Sequence, residues 1–239
     1  MQRIAGFSIL VVLCGFVLSS GAALDSTAKE TEFAYARIRY HMTRDAIFVR
    51  EVPWHHDYPF GDETFPTFVK EVTGINTKHD SYQIVDIDSS ELFDFPFAYL
   101  CEPGYLNLNA KDTENFREYL DRGGFVFVDD FRGPRHLDNL FREMKKVYPE
   151  RDIVRLDISE PIFDSFYKID SLEMAPPYGN MPVEFLGLKD DEGRLQMVIN
   201  YNNDLSEVWE WLDRGEMPMK EAAQSVKFGM NYMIYALTH

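Results

Sequence analysis

Four short segments of the chain gather the residue types that acid–base and ion-binding chemistry uses. They are Trp54-His55-His56-Asp57-Tyr58, Glu102-Pro103-Gly104-Tyr105, Asp129-Asp130-Phe131-Arg132, and the run from Asn200 to Asp204. Paired carboxylates from one segment, with another from a neighbour, can hold a cation or act as a general base on a bound hydroxyl or water. Asp129, Asp130 and Glu102 are therefore the candidate catalytic residues. Trp54, His55, His56, Asp57, Tyr105, Arg37, Arg132, Asn203 and Asp204 are the candidate ligand-binding residues around them.

Each candidate also has a plainer reading. Successive residues at a strand end point to opposite sides, so at most one of Asp129 and Asp130 faces a cleft, and the other caps a helix or binds a loop amide. His55-His56-Asp57 looks like a metal tripod, yet adjacent ligands on a loop are a weaker signal than His at i and i+4 on a helix, and a solvated loop has the same composition. Arg37 and Arg39 share one strand face, placed to pair with Asp129 or Glu102 beneath the cleft or to lie on an edge. His41, His79 and His136 read as surface or capping residues. Trp209 and Trp211 fall on one side if WEW is extended, as core or as a sugar-stacking platform. No cofactor is predicted, since no GxGxxG follows a strand and there is no P-loop; a divalent cation is the ion the carboxylates would suit, with its ligands unassigned.

The elements that must position these residues alternate. Period-two or short apolar runs predict strands over Phe33–Tyr40, Tyr82–Ile87, Phe97–Cys101, Phe125–Val128, Ile153–Ile158 and Leu195–Tyr201. Apolar residues at three- and four-residue steps predict helices over Thr64–Val72, Lys111–Arg122, His136–Tyr148 and Met219–Leu237. The Pro-rich stretch Pro176–Pro182 reads as a loop or hairpin excursion. Alternating strands and helices with short connections imply an α/β three-layer sandwich with a mostly parallel central sheet. In such sheets ligands sit outside the carboxyl ends of the strands, where the four segments fall. The loop from Thr43 to Glu63 is long for a plain connection and suits a binding or lid role.

The chain has 239 residues, 45% apolar, with 24 Lys+Arg against 40 Asp+Glu and a net charge of -16. That charge, without a local Lys/Arg run, argues against nucleic acid as a partner. Gln2 and Arg3, the apolar run Phe7–Leu18 and the small residues Ser19 to Ala23 read as a signal peptide over 1–23, followed by a linker over 24–32 and one domain over 33–239. The expected location is thus exported, periplasmic or extracellular, with membrane contact only through an uncleaved signal anchor. The mature chain then keeps one of two cysteines, Cys101, and can form no internal disulfide.

The segments GGFVFVDDF, PFAYLCEPGYLNL, SEPIFDSFYKI, NYNNDLSEVWEW and NYMIYALTH, with the Trp54 loop, resemble the bacterial domain of unknown function 4159 family over nearly all of Phe33 to His239. The resemblance implies a flavodoxin-like fold similar to class I glutamine amidotransferases and trehalose-utilisation proteins. It also puts the nucleophile elbow after FVFV, where this chain has Asp129 and Asp130 in place of cysteine. Cys101 ends a different strand and reads as a small buried hydrophobe. Two functions remain open: a non-catalytic ligand-binding or assembly module of the bacterial cell envelope, binding a small polar ligand or an envelope protein partner, or a carbohydrate-active or other hydrolase using strand-end carboxylates without a Cys nucleophile.

Overall fold

The computed structural model describes residues 32–215 and 217–239. The leader read over residues 1–23 and the linker, except its last residue, lie outside the described residues. Seven strands form one sheet: β1 (Tyr35–Arg39), β2 (Tyr82–Asp86), β3 (Phe97–Cys101), β4 (Phe125–Asp129), β5 (Val154–Arg155), β6 (Glu184–Lys189) and β7 (Leu195–Tyr201). Their spatial order is β2-β1-β3-β4-β7-β6-β5. The pairs β1/β2, β1/β3, β3/β4 and β4/β7 are parallel, and β6 runs antiparallel to both of its neighbours. The five parallel strands therefore deliver their following loops to one edge.

Helices α1 (Phe60–Thr73), α4 (Leu205–Glu210) and α5 (Met219–Thr238) cover one face, and α2 (Ala110–Asp121) and α3 (Gly133–Val147) the other. Strand alternation sorts the cores. Ala98, Leu100, Val126 and Val128 pack toward α2 and α3, while Phe97, Tyr99, Phe125 and Phe127 pack toward α1, α4 and α5. On that second face Phe65 of α1 stacks on Trp209 of α4 with ring centroids 4.6 Å apart. Gly229 lets α5 pass over the same indole, for a Cβ there would lie 2.6 Å from the Trp209 ring. Among the described residues, no helix is long and apolar enough to cross a membrane.

Local chemistry explains the starts and stops. Asn109 and Asp112 form a reciprocal capping box on α2. Gly74, at φ 73°, ends α1 in a left-handed turn. Two expectations are corrected, and one strand is added. The strand expected over Ile153–Ile158 shortens to Val154 and Arg155, with one further bond from the Leu156 amide to the Phe185 carbonyl at 2.9 Å, before Asp157 accepts from the Ser159 amide in a turn. Strand β6 lies outside the expected strands because Gly187 interrupts its apolar pattern; a Cβ there would crowd the Leu195 and Leu156 side chains at 2.4 and 2.9 Å and the Met197 carbonyl oxygen at 3.1 Å. The WEW segment is helical at Trp209, not extended, since Asp204 accepts from the Glu207 amide and starts α4. Trp209 is buried in the core, while the Trp211 indole donates to Glu207 at 3.0 Å.

Candidate functional site

Among the described residues, the non-glycine positions with positive φ are Asp57 (61°), Glu102 (44°), Asp130 (54°) and Asn202 (57°). Each follows one of the parallel strands β1, β3, β4 and β7. Asp and Asn tolerate this region better than other side chains, and Glu102 does not share that advantage. Strain of this kind costs on the order of 1 to 3 kcal/mol per residue and persists where surrounding contacts hold it. Here the contacts come from the side chains the loops bring together.

His56 is the centre of the arrangement. Its Nδ1 lies 2.8 Å from Asp130 Oδ2 and 3.3 Å from Glu102 Oε1, while Nε2 faces Glu51 at 3.6 Å. The hydrogen bond to Asp130, then that to Glu102, push the imidazole pKa up to about 12, so the ring is an imidazolium. Asp130 Oδ1 accepts from Tyr178 at 2.5 Å, and the Cys101 thiol donates to Oδ2 at 3.5 Å. Tyr178 Oη also lies 3.0 Å from Asp204 Oδ2. One phenol proton serves one carboxylate at a time. Asp204 supplies the second proton, because burial and then the Asp130 charge hold its pKa well above the usual carboxylate range.

A second cluster lies deeper. Ser206 Oγ is 2.8 Å from Asp57 Oδ2, 3.3 Å from Asp204 Oδ1 and 2.7 Å from Tyr99 Oη. Burial first, and Asp130 second, push Asp57 up to about 7. Burial likewise raises Glu102 and the Cys101 thiol, the latter opposed to thiolate chemistry. Ligand atoms of His56, Glu102 and Asp130 lie within 4.8 Å of one another, as do those of Asp57, Asp204 and Glu207. Either set has donors a divalent cation accepts, although the first must give up the His56 proton before the ring can ligate.

The paired acids divide their roles. Asp129 Oδ2 accepts from the amides of Leu205 at 2.6 Å and Ser206 at 3.1 Å, and Oδ1 accepts from Asn200 at 3.2 Å. It caps α4 from beneath, with its pKa pushed up to about 8 by burial and then by Asp130. Asp130 alone of the pair joins His56. Arg37 pairs with neither Asp129 nor Glu102. Its guanidinium makes a two-point ion pair with Asp62, with Nε–Oδ1 at 3.0 Å and Nη2–Oδ2 at 2.7 Å, and Nη1 donates to the carbonyls of Trp54 and His56. Arg37 thus positions the loop that carries His56, and Arg39 pairs with Asp86.

The remaining candidates scatter around this centre. The Trp54 ring lies beside Arg39 in a separate cavity of about 200 Å³. His55 is exposed between the Trp54 and Tyr58 rings, so His55, His56 and Asp57 do not form one tripod. Arg132 stacks on Tyr178, with its charge also felt at Glu102. Tyr105 packs against His136, which is half-buried and pressed onto Gly104, not a plain surface residue. Asn203 donates to Met174 Sδ and bridges by its backbone to Phe131. Tyr178, Ser206, Tyr99 and Asp62 were not among the sequence candidates. Only Tyr178 had a local sign, an aromatic set within the turn-forming Pro176-Pro177-Tyr178-Gly179.

The family model described as Domain of unknown function (DUF4159) matches residues 34–237. No curated protein matches the chain.

Proposed function

The chain belongs to that family of unknown function, DUF4159, and we propose that it is an exported ligand-binding module whose strand-end cleft holds a small polar ligand. The observation that carries this reading is the state of Asp130. It stands at a strained strand-to-helix turn, where hydrolases of related architecture place a nucleophile. Its oxygens are engaged by His56, Tyr178 and Cys101 together. A carboxylate held so fixes the orientation of His56, and His56 and Glu102, both partly exposed, are the groups left to meet a small polar ligand. The strand order β2-β1-β3-β4, extended by a parallel β7, supports a flavodoxin-like, amidotransferase-like frame for the cleft. Export rests on the leader-like residues at the start of the chain, and an intact mass for the secreted protein beginning at residue 23 or 24 tests it.

The binding reading is tested by calorimetric titration with ammonium compounds, polyols and Mn2+ or Zn2+, comparing the native chain with Glu102→Gln and His56→Gln. Saturable binding by at least one probe, weakened about tenfold or more in both variants, is expected. Equal binding by all three proteins, or none by the native chain, would overturn it. A second reading, a carboxylate-dependent hydrolase, is favoured by the Asp204–Tyr178–Asp130 chain of hydrogen bonds, in which burial favours a proton on Asp204. Turnover of glycoside or ester substrates that Asp130→Asn abolishes would select it.

A further inference from the structure

The strand-end cleft has an open half and a sealed half. The His56 and Glu102 side chains are 37% and 21% exposed, whereas Asp130 is 4% and Asp204 9% exposed. Over the sealed half lies Tyr178, carried by residues 170–183. This stretch forms no helix or strand, and none of its residues is buried. Among the described residues, its backbone makes no hydrogen bond to another backbone group. Side chains tie its two ends to the body: Gln224 donates to the Glu173 carbonyl at 3.1 Å and Asn203 to Met174 Sδ at 3.4 Å, while Asn202 donates to the Pro182 carbonyl at 2.9 Å. Between those ties, over residues 175–181, the one hydrogen-bonding group that reaches the body among the described residues is the Tyr178 hydroxyl, on Asp130 and Asp204. Cavities undercut the stretch on both flanks, one of about 460 Å³ lined by Leu172, Met174 and Val183 with Phe185, and one of about 470 Å³ between Ser171 and α5. Few buried contacts and no backbone ladder mark a segment that opens locally while the rest stays folded.

We propose, on the reading of the strand-end cleft as the ligand site, that residues 170–183 are a hinged strap latched by Tyr178, and that its release opens the Asp130–Asp204 pair to the ligand. With the strap closed, a ligand meets His56 and Glu102 alone. With it released, Asp130 Oδ1 and Asp204 Oδ2 lose their phenol partner and face solvent. The arm suits the task. Pro176 and Pro177 stiffen the approach to Tyr178, and Gly179, at φ 68°, turns the chain just after it. The Arg132 guanidinium, 4.4 Å from the Tyr178 ring centroid, adds a second contact to the latch. A hydrogen bond to an ionised acceptor is among the stronger ones a side chain can make, so one hydroxyl can hold a strap that little else retains. Its loss is expected to raise the open population by about tenfold or more.

The test compares the native chain with Tyr178→Phe, which keeps the ring beside Arg132 and removes only the hydroxyl, and with Tyr178→Ala, which removes both contacts. Subtilisin cleavage within residues 170–183 reports detachment of the strap. Carbodiimide coupling to an amine, mapped by peptide mass spectrometry, reports which carboxyl groups solvent reaches. Cleavage about tenfold faster in Tyr178→Phe, and at least as fast in Tyr178→Ala, is expected, with coupling at Asp130 and Asp204 rising in parallel. Asp129, fully buried beneath α4, should stay unreactive, and the urea midpoint should stay unchanged. The proposal is overturned if cleavage keeps the native rate in both variants, if it rises while Asp130 and Asp204 remain unreactive, or if Asp129 reacts along with them, the sign of general loosening. Neither readout needs a ligand, so a failed titration of the cleft and a failed latch are separate results.

Discussion

Arg37 and Asp62 form a fully buried ion pair between β1 and α1, and the same guanidinium holds the carbonyls of Trp54 and His56 at 3.0 and 3.1 Å. Tyr35 adds a hydrogen bond to Asp62 at 2.7 Å. The pair therefore links the core to the loop that delivers His56. Removing one partner leaves the other as a buried, uncompensated charge, which typically costs about 3 to 5 kcal/mol. Asp62→Asn is expected to lose stability of that order in urea unfolding, and Arg37→Lys to lose most of it as well, because an ammonium cannot reproduce the fork. A loss under about 1 kcal/mol in both would show that the pair is dispensable.

The state of His56 gives a direct spectroscopic prediction. Its folded pKa, raised to about 12 from the usual 6.5 by Asp130 and Glu102, means that the imidazolium's contribution is complete below 6.5 and is lost as pH rises through the folded value. Proton NMR, with His56→Gln used to assign the ring signals, should find no His56 titration between about pH 5 and pH 9. Because the ring is partly exposed, the substitution is expected to cost only about 1 kcal/mol near neutrality. A His56 midpoint near 6.5 would refute the ion-pair assignment.

Asp57 titrates with its own sign. Burial raises its folded pKa to about 7, so the folded chain binds this proton more tightly than the unfolded one. Stability from this group is full below the ordinary carboxylate value and declines as pH rises toward about 7. Asp57→Asn preserves an acceptor for Ser206 and tolerates the left-handed backbone. It is expected to stabilise the protein by about 1 to 3 kcal/mol at pH 8 and to have little effect at pH 4, measured by denaturant unfolding. Equal effects at both pH values would mean that Asp57 is not held neutral.

Asp129 and Asp130 should separate in one experiment. Asp129→Ala strips the acceptor from two buried amides at the start of α4, a loss of about 2 to 4 kcal/mol. Asp130→Asn keeps the turn and should change stability by about 1 kcal/mol or less, while bringing the His56 titration down toward its ordinary range. If Asp130→Asn destabilises as much as Asp129→Ala and leaves His56 unchanged, the division of roles is wrong.

Local rules made much of the frame legible. The FAYLC and FVFV runs, the Gly123-Gly124 helix stop and the amphipathic helices marked an alternating α/β chain, because apolar periodicity reflects which face a residue buries. They also placed Glu102, Asp130, His56 and Asp204 at strand ends, and strand-end loops of parallel strands emerge on one edge. Strand β6 was obscured by Gly187, and WEW by a helix whose first-turn partner, Asp129, lies far away in the chain. The partners themselves were decided only in three dimensions. Arg37 chose Asp62 over Asp129 because α1 lays that carboxylate against β1, and Tyr178 reached Asp130 and Asp204 across a long loop without regular spacing. Periodicity constrains the side of an element a residue occupies. Which charge it meets there, and hence whether it is ionised, depends on contacts between segments remote in sequence and on the low dielectric that their packing creates.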